Sequence, residues 1–151
     1  MPWFRPQKCV RVFDGGWNAE AAAYQPAAIA GTWPQMESLL ADTIPSLTHA
    51  LIVLARPADL LQTKNSLLSA EQRQRLWRAF RVPIFEQIIG DHGVVLAAEC
   101  EAHSGLHIES ATRKLRGLST DKTPCGCGRT SPRIMHREQI EYGRAAAASV
   151  R

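Results

Sequence analysis

Ala50-Leu-Ile-Val-Leu-Ala55 is a short, uninterrupted apolar run. With no polar alternation it fits a strand buried on both faces, as in a layered α/β domain. The residues that follow extend that reading. Ser69-Ala-Glu-Gln72 is a capping-box pattern, in which Ser69 accepts from the Gln72 amide while the Gln72 side chain reaches back. The helix it opens places Leu76, Trp77 and Phe80 on one face, which predicts all three as core. Val82-Pro83 ends that helix. Ile84-Phe-Glu-Gln-Ile-Ile89 and Val94-Val-Leu-Ala-Ala98 read as two strands. Gly90-Asp-His-Gly93 joins them as a hairpin turn, with His92 a solvated turn residue. The expected fold is therefore α/β: a single small domain, a mixed sheet with flanking helices.

The region upstream is less regular. Val10-Arg-Val-Phe13 reads as a short strand and Asp14-Gly-Gly16 as a turn. Asn18 is placed to cap a short helix through Tyr24, which Pro26 stops. Thr32 is placed to cap the next, where Met36, Leu39, Leu40 and Ile44 fall at helical spacing before Pro45. These signals divide the chain into an irregular N-terminal segment (1–33), an α/β domain (34–135) and a basic, Ala-rich tail (136–151).

Composition excludes several classes. The chain has 151 residues, 45% hydrophobic and 21% charged, which is ordinary for a globular domain with a real core. No apolar run approaches the roughly 20 residues that span a bilayer, so no membrane role is expected. The net charge of +4 is carried partly by Arg129, Arg133, Arg137, Arg144 and Arg151. No aromatic residue interleaves with them before Tyr142, so a solvated basic face is expected rather than a nucleic-acid partner. Met1-Pro-Trp-Phe-Arg-Pro6 has no apolar stretch after a basic start and does not read as a secretory signal. Reduced thiols and a cytoplasmic location are the expectation, with Cys9 a non-ligand.

The chemistry concentrates in two segments. Cys100-Glu-Ala-His103-Ser-Gly-Leu-His107 is one, and Cys125-Gly-Cys127-Gly128 the other. Soft thiolates and borderline imidazoles suit a closed tetrahedral Zn2+ site, and Fe2+ takes the same donors. The glycines permit the tight backbone of a metal knuckle. Two readings compete. Cys100 is a small buried hydrophobe and Cys125-Gly-Cys127 a tolerated loop, or the two clusters share one ion. Four donors in two clusters favour the ion. His103 and His107 both offer an imidazole. In Leu106-His-Ile108, alternation turns His107 to the face opposite its apolar neighbours. The polar stretch 111–123 reads as a connection, stiffened by Pro124.

Several segments resemble a known family. Phe85-Glu-Gln-Ile-Ile-Gly90, Val95-Leu-Ala-Ala-Glu-Cys100-Glu-Ala-His-Ser-Gly-Leu-His107-Ile-Glu109 and Thr123-Pro-Cys-Gly-Cys-Gly-Arg-Thr-Ser-Pro-Arg-Ile134 are similar to the phenylacetate-CoA ligase branch of the AMP-forming adenylating enzymes. The resemblance spans roughly residues 46–134 and is most specific around the cysteines. It implies Cys100, His107, Cys125 and Cys127 as ligands of a structural Zn2+. It also implies what this chain lacks. The family's Tyr-Gly-x-Thr-Glu motif, which helps hold Mg-ATP, falls on Ile89-Gly-Asp-His-Gly93, without the tyrosine, threonine or glutamate. A phosphate loop, the ribose-binding aspartate and the lid lysine have no counterpart either.

The expectation that follows is a non-catalytic zinc domain derived from a ligase-like protein, binding a protein partner or an acyl-type ligand. The alternative is an enzyme subunit or fragment of an acyl-CoA ligase (AMP-forming) system completed by a partner chain. A catalytic zinc with Glu99 or Glu101 as general base is a further form of that alternative. Three thiolates argue against it, because their charge blunts the Lewis acidity of the ion.

Overall fold

Three short parallel strands carry the first apolar runs. A computed structural model, which describes residues 11–13, 16–41, 50–57, 68–110 and 115–135, shows how they are joined. Helix α1 (Ala19–Ala23) is capped by Asn18, whose Oδ1 accepts from the Ala21 amide at 2.9 Å. Strand β1 (Ala28–Thr32) follows, then helix α2 (Trp33–Ala41) and strand β2 (Ala50–Ala55). Helix α3 (Ala70–Phe80) leads into β3 (Ile84–Ile89). Each of these two connections is a helical crossover, as parallel strands require. The register sets Ile29, Leu51 and Ile84 side by side. These residues meet Met36 and Leu39 of α2 and Leu76 and Phe80 of α3 in one core. Leu51, Ile52 and Val53 are consecutive and all buried, so β2 is covered on both faces as expected.

The capping box forms as the sequence indicates: Gln72 N–H donates to Ser69 Oγ at 3.1 Å, and Ser69 N–H to Gln72 Oε1 at 2.9 Å. Gln35, three residues after Thr32, likewise accepts from the Thr32 amide at 2.7 Å and opens α2. Trp77 departs from expectation. It is 49% exposed, and the Arg81 guanidinium lies 4.3 Å from its ring centroid. The buried stripe of α3 is narrower than its apolar stripe, and Trp77 falls at its rim.

After β3 the chain turns antiparallel. A 3-10 turn (Asp91–Gly93) joins β3 to β4 (Val95–Glu99), one residue later than the sequence suggests, with a bulge at Ile88/Ile89. His92 is exposed in that turn. Strands β5 (Leu106–Ile108), β6 (Thr120–Asp121) and β7 (Arg133–Ile134) complete a seven-stranded mixed sheet in the order β1-β2-β3-β4-β5-β7-β6. A second core of Ile88, Leu96, Ala97, Leu106, Leu115 and Ile134 lies under this half.

Three boundaries change. The N-terminal segment expected to be irregular contributes strand β1, paired in parallel with β2 along its whole length. Residues 11–13 form no strand. The connection expected to be simply polar holds buried Leu115 and strand β6. Val10, Cys9, Ile44, Pro45 and the tail 136–151 lie outside the described residues. Among the described residues no helix is long and apolar enough to cross a membrane.

Gly105 lets β5 and β7 close together. Its φ is +102°, and a Cβ there would sit 2.6 Å from the Ile134 carbonyl oxygen. Neither the backbone angle nor the contact admits a side chain. Gly105→Ala is expected to destabilise by roughly 2 kcal/mol or more, read by denaturant unfolding. A loss below roughly 0.5 kcal/mol would show that the β5–β7 approach is not tight in solution.

Candidate metal centre

Strand β4 ends at Glu99, and Cys100 is the next residue. A turn closes behind it, with the His103 amide donating to the Cys100 carbonyl at 3.0 Å. Gly105 then returns the chain into β5, which carries His107. The Cys125–Gly128 knuckle is a second tight turn. Gly128 N–H donates to the Cys125 carbonyl at 2.9 Å, and Cys125 N–H to the Arg129 carbonyl at 3.0 Å. Gly128 has φ +85°, a left-handed angle that closes the knuckle without strain. The two loops touch: a Cβ on Gly126 would lie 3.9 Å from that of Ala102.

This folding gathers Cys100, His107, Cys125 and Cys127, which could hold a metal ion. Their ligand atoms all lie within 4.8 Å of one another. Cys100 Sγ is 3.6 Å from Cys125 Sγ, far outside a disulfide bond. His107 Nε2 is 3.4 Å from Cys127 Sγ. A tetrahedral ion with ~2.3 Å bonds to sulfur and ~2.05 Å to nitrogen would set those edges at about 3.8 and 3.6 Å. These two edges thus match a metal-sized tetrahedron, and the other donor pairs lie within 4.8 Å.

The surrounding groups prepare His107 and Cys125 for a metal more than they prepare Cys100. His107 is fully buried, and its Nδ1 lies 2.9 Å from Ser131 Oγ. The tautomer that ligates an ion is the one with Nδ1–H donating to that oxygen, which frees the Nε2 lone pair toward the sulfurs. Ser104 Oγ is 3.3 Å from Cys125 Sγ. Arg133 Nη1 donates to the same Ser104 oxygen at 2.6 Å, which leaves the hydroxyl proton for the sulfur. Burial raises the Cys125 thiol, but the Cys127 backbone N–H, the Ser104 hydroxyl and the adjacent His107 and Cys127 side chains outweigh it. The thiol falls to about 5. Burial pushes the Cys100 thiol up to about 11, and the adjacent Cys127 and Cys125 thiols add to the rise. One sulfur is thus prepared as a thiolate, and binding an ion would displace protons from the others.

Arg133 is the residue that ties the loops together. It is nine-tenths buried. Its Nη1 donates to the Ser104 carbonyl at 2.9 Å, and its Nη2 to Thr123 Oγ1 at 3.1 Å and to Asp121. One guanidinium therefore grips both ligand-bearing segments. The sequence reading puts Arg133 on a solvated basic face, but it is 5% exposed because strand β7 turns it inward, and that reading gives Ser104 and Ser131 no part in the site. Hydroxyls and arginines are common in loops, and only the pairing of His107 with Arg133 across β5 and β7 brings these to the site.

His103 stays out of the cluster. Its Nδ1 lies 3.0 Å from Glu99 Oε1, and its ring stacks on Phe85 with centroids 5.3 Å apart. The Glu99 carboxylate takes two 3.0 Å contacts from Arg73 Nη2 and accepts from the Glu86 amide at 3.1 Å. It is engaged with Arg73 of α3, the β3 backbone and His103.

Ser131→Ala removes the oxygen that orients His107. Its expected effect is a roughly 10-fold weaker metal affinity, measured by competition with a chromogenic chelator. An unchanged affinity would mean that the ring is fixed by packing alone.

No protein-family model matches the chain, and no curated protein matches it.

Proposed function

We propose that this chain is a non-catalytic α/β domain built around a structural Zn2+ held by Cys100, His107, Cys125 and Cys127. The observation that carries this reading is the donor spacing, 3.6 Å between two sulfurs and 3.4 Å between sulfur and imidazole nitrogen. Four protein donors close the tetrahedron and leave no position for water or substrate, which is the pattern of structural zinc. Three thiolates also select Zn2+ over harder cations. Kinship with the phenylacetate-CoA ligase branch belongs to the proposal. Its support is the resemblance around the same four residues, and the missing nucleotide motifs favour a binding role over adenylation. The ion would join the end of β4 to the knuckle before β7. The partner in this reading is a protein surface or an acyl-type ligand.

Native mass spectrometry with elemental analysis tests the metal. One zinc per chain is expected, lost on chelation and on acidification, because protons compete for the thiolates and the imidazole. A folded chain purified from zinc-supplemented cells with no bound metal would overturn the reading.

A further inference from the structure

We propose that the same cluster is a peroxide-responsive switch, in which oxidation replaces the metal by a disulfide between Cys100 and Cys127. This rests on the zinc reading and adds a regulatory step to it. The geometry separates the three sulfurs by access. Cys100 and Cys125 are buried, whereas Cys127 is partly exposed. An oxidant from solvent therefore meets Cys127 first. Bound to the metal, Cys127 is a thiolate, the nucleophilic form.

The next step is decided by which sulfur can answer. Cys125 is two residues away on the same knuckle, and bridging across the single Gly126 would strain the disulfide dihedral. Cys100 comes from the other loop. Its sulfur lies within 4.8 Å of Cys127 Sγ, and the Cys127 thiol is one of its contacts. The loops already touch at Gly126 and Ala102, so the bridge forms without a long excursion.

The chemistry balances with hydrogen peroxide as the oxidant. Cys127 thiolate attacks one peroxide oxygen, an S–O bond forms, the O–O bond breaks, and hydroxide leaves. Cys100 thiolate then attacks the Cys127 sulfur, the S–S bond forms, the S–O bond breaks, and a second hydroxide leaves. The two sulfurs lose two electrons, and the peroxide becomes two waters after protonation by solvent. Of the residues that would hold an ion, only Cys125 and His107 would then remain as donors, too few to retain it. A covalent link between the loops takes its place, so the β4 end remains tied to the knuckle while the metal leaves. A dithiol reductant with added zinc reverses both steps.

The test uses the zinc-loaded full chain and a Cys9→Ser variant, which removes the fourth cysteine of the sequence. Each is treated with one equivalent of hydrogen peroxide while a chromogenic chelator reports free zinc, and disulfides are mapped by peptide mass spectrometry. A parallel sample contains dimedone to trap sulfenate. The expected result is about one zinc released per peroxide, a Cys100–Cys127 disulfide, dimedone on Cys127, and the same behaviour in Cys9→Ser. Retention of zinc, release without a disulfide at Cys100, or dimedone found at another cysteine would overturn the switch. Absence of zinc before peroxide is added would instead overturn the structural-zinc reading, so the two failures are distinguishable.

Discussion

Replacing Cys125 with serine is expected to remove the metal and lower Tm by about 10 °C or more. The size follows from how little else holds this end of the sheet. The β5–β7 ladder has two residue pairs, Leu106 with Ile134 and His107 with Arg133. The β6–β7 ladder also has two, Thr120 with Ile134 and Asp121 with Arg133. Strands this short are not stable on their own. Structural zinc supplies on the order of 10 kcal/mol in isolated small sites. Arg133 and the second core already order part of this region, so the share expected of the proposed zinc is smaller, on the order of a few kcal/mol. For a chain of this size each kcal/mol moves Tm by roughly 2–4 °C. Chelated wild type should melt close to the variant, since both lack the ion. Differential scanning calorimetry with parallel metal analysis gives the answer. A variant with wild-type Tm and wild-type metal content would remove Cys125 from the site.

Arg73→Met should cost roughly 3–5 kcal/mol, through a different part of the molecule. Arg73 Nη2 lies 3.0 Å from both Glu86 Oε2 and Glu99 Oε2, and the two carboxylate side chains are only 4% and 1% exposed. Arg73 Nη1 also donates to the Ile84 carbonyl at 2.6 Å. Other donors share the load, since the Leu68 amide donates to Glu86 Oε1 at 2.6 Å. The Arg73 guanidinium, however, sets a full positive charge between the two carboxylates. Methionine would fill most of the volume and leave two buried like charges facing each other. Adding Glu99→Gln to the variant neutralises one of them and is expected to recover at least about 1 kcal/mol. Urea unfolding of the single and double variants measures both effects. A loss under about 1 kcal/mol for Arg73→Met would show that water reaches the pair. The lost energy belongs to the α3–β3–β4 contact, so metal content is expected to stay at the wild-type level.

How much was legible in the sequence differs by element. The capping box at Ser69, the buried run 50–55 and the β3–β4 hairpin were readable because each is a local pattern: a cap spans three residues, a strand's burial shows in its own composition, and a hairpin turn has its own glycines. Strand β1 was not readable. Ala28-Ile-Ala-Gly-Thr32 has weak strand propensity, and only pairing with β2 makes it a strand. The same holds for Thr120–Asp121 and Arg133–Ile134, whose two-residue ladders exist only because distant segments meet. Trp77 shows the converse error. Helical spacing assigns a face, but how wide a stripe the sheet covers depends on what packs against it.

The sequence by itself determined the class of fold and the stock of ligands: alternating strand and helix signals, and three thiols with two imidazoles in two short segments. It left two imidazoles in contention. The tertiary structure decided between them, because β5 turns His107 inward onto Ser131 and Cys127 while the Cys100 turn carries His103 outward to Glu99 and Phe85. It also supplied Arg133, a single buried guanidinium whose partners lie 10 to 29 residues away. Residue type and spacing record which donors a chain owns. Which of them converge on one point is set by strand pairing between segments distant in sequence, and that information is carried by the packed sheet as a whole.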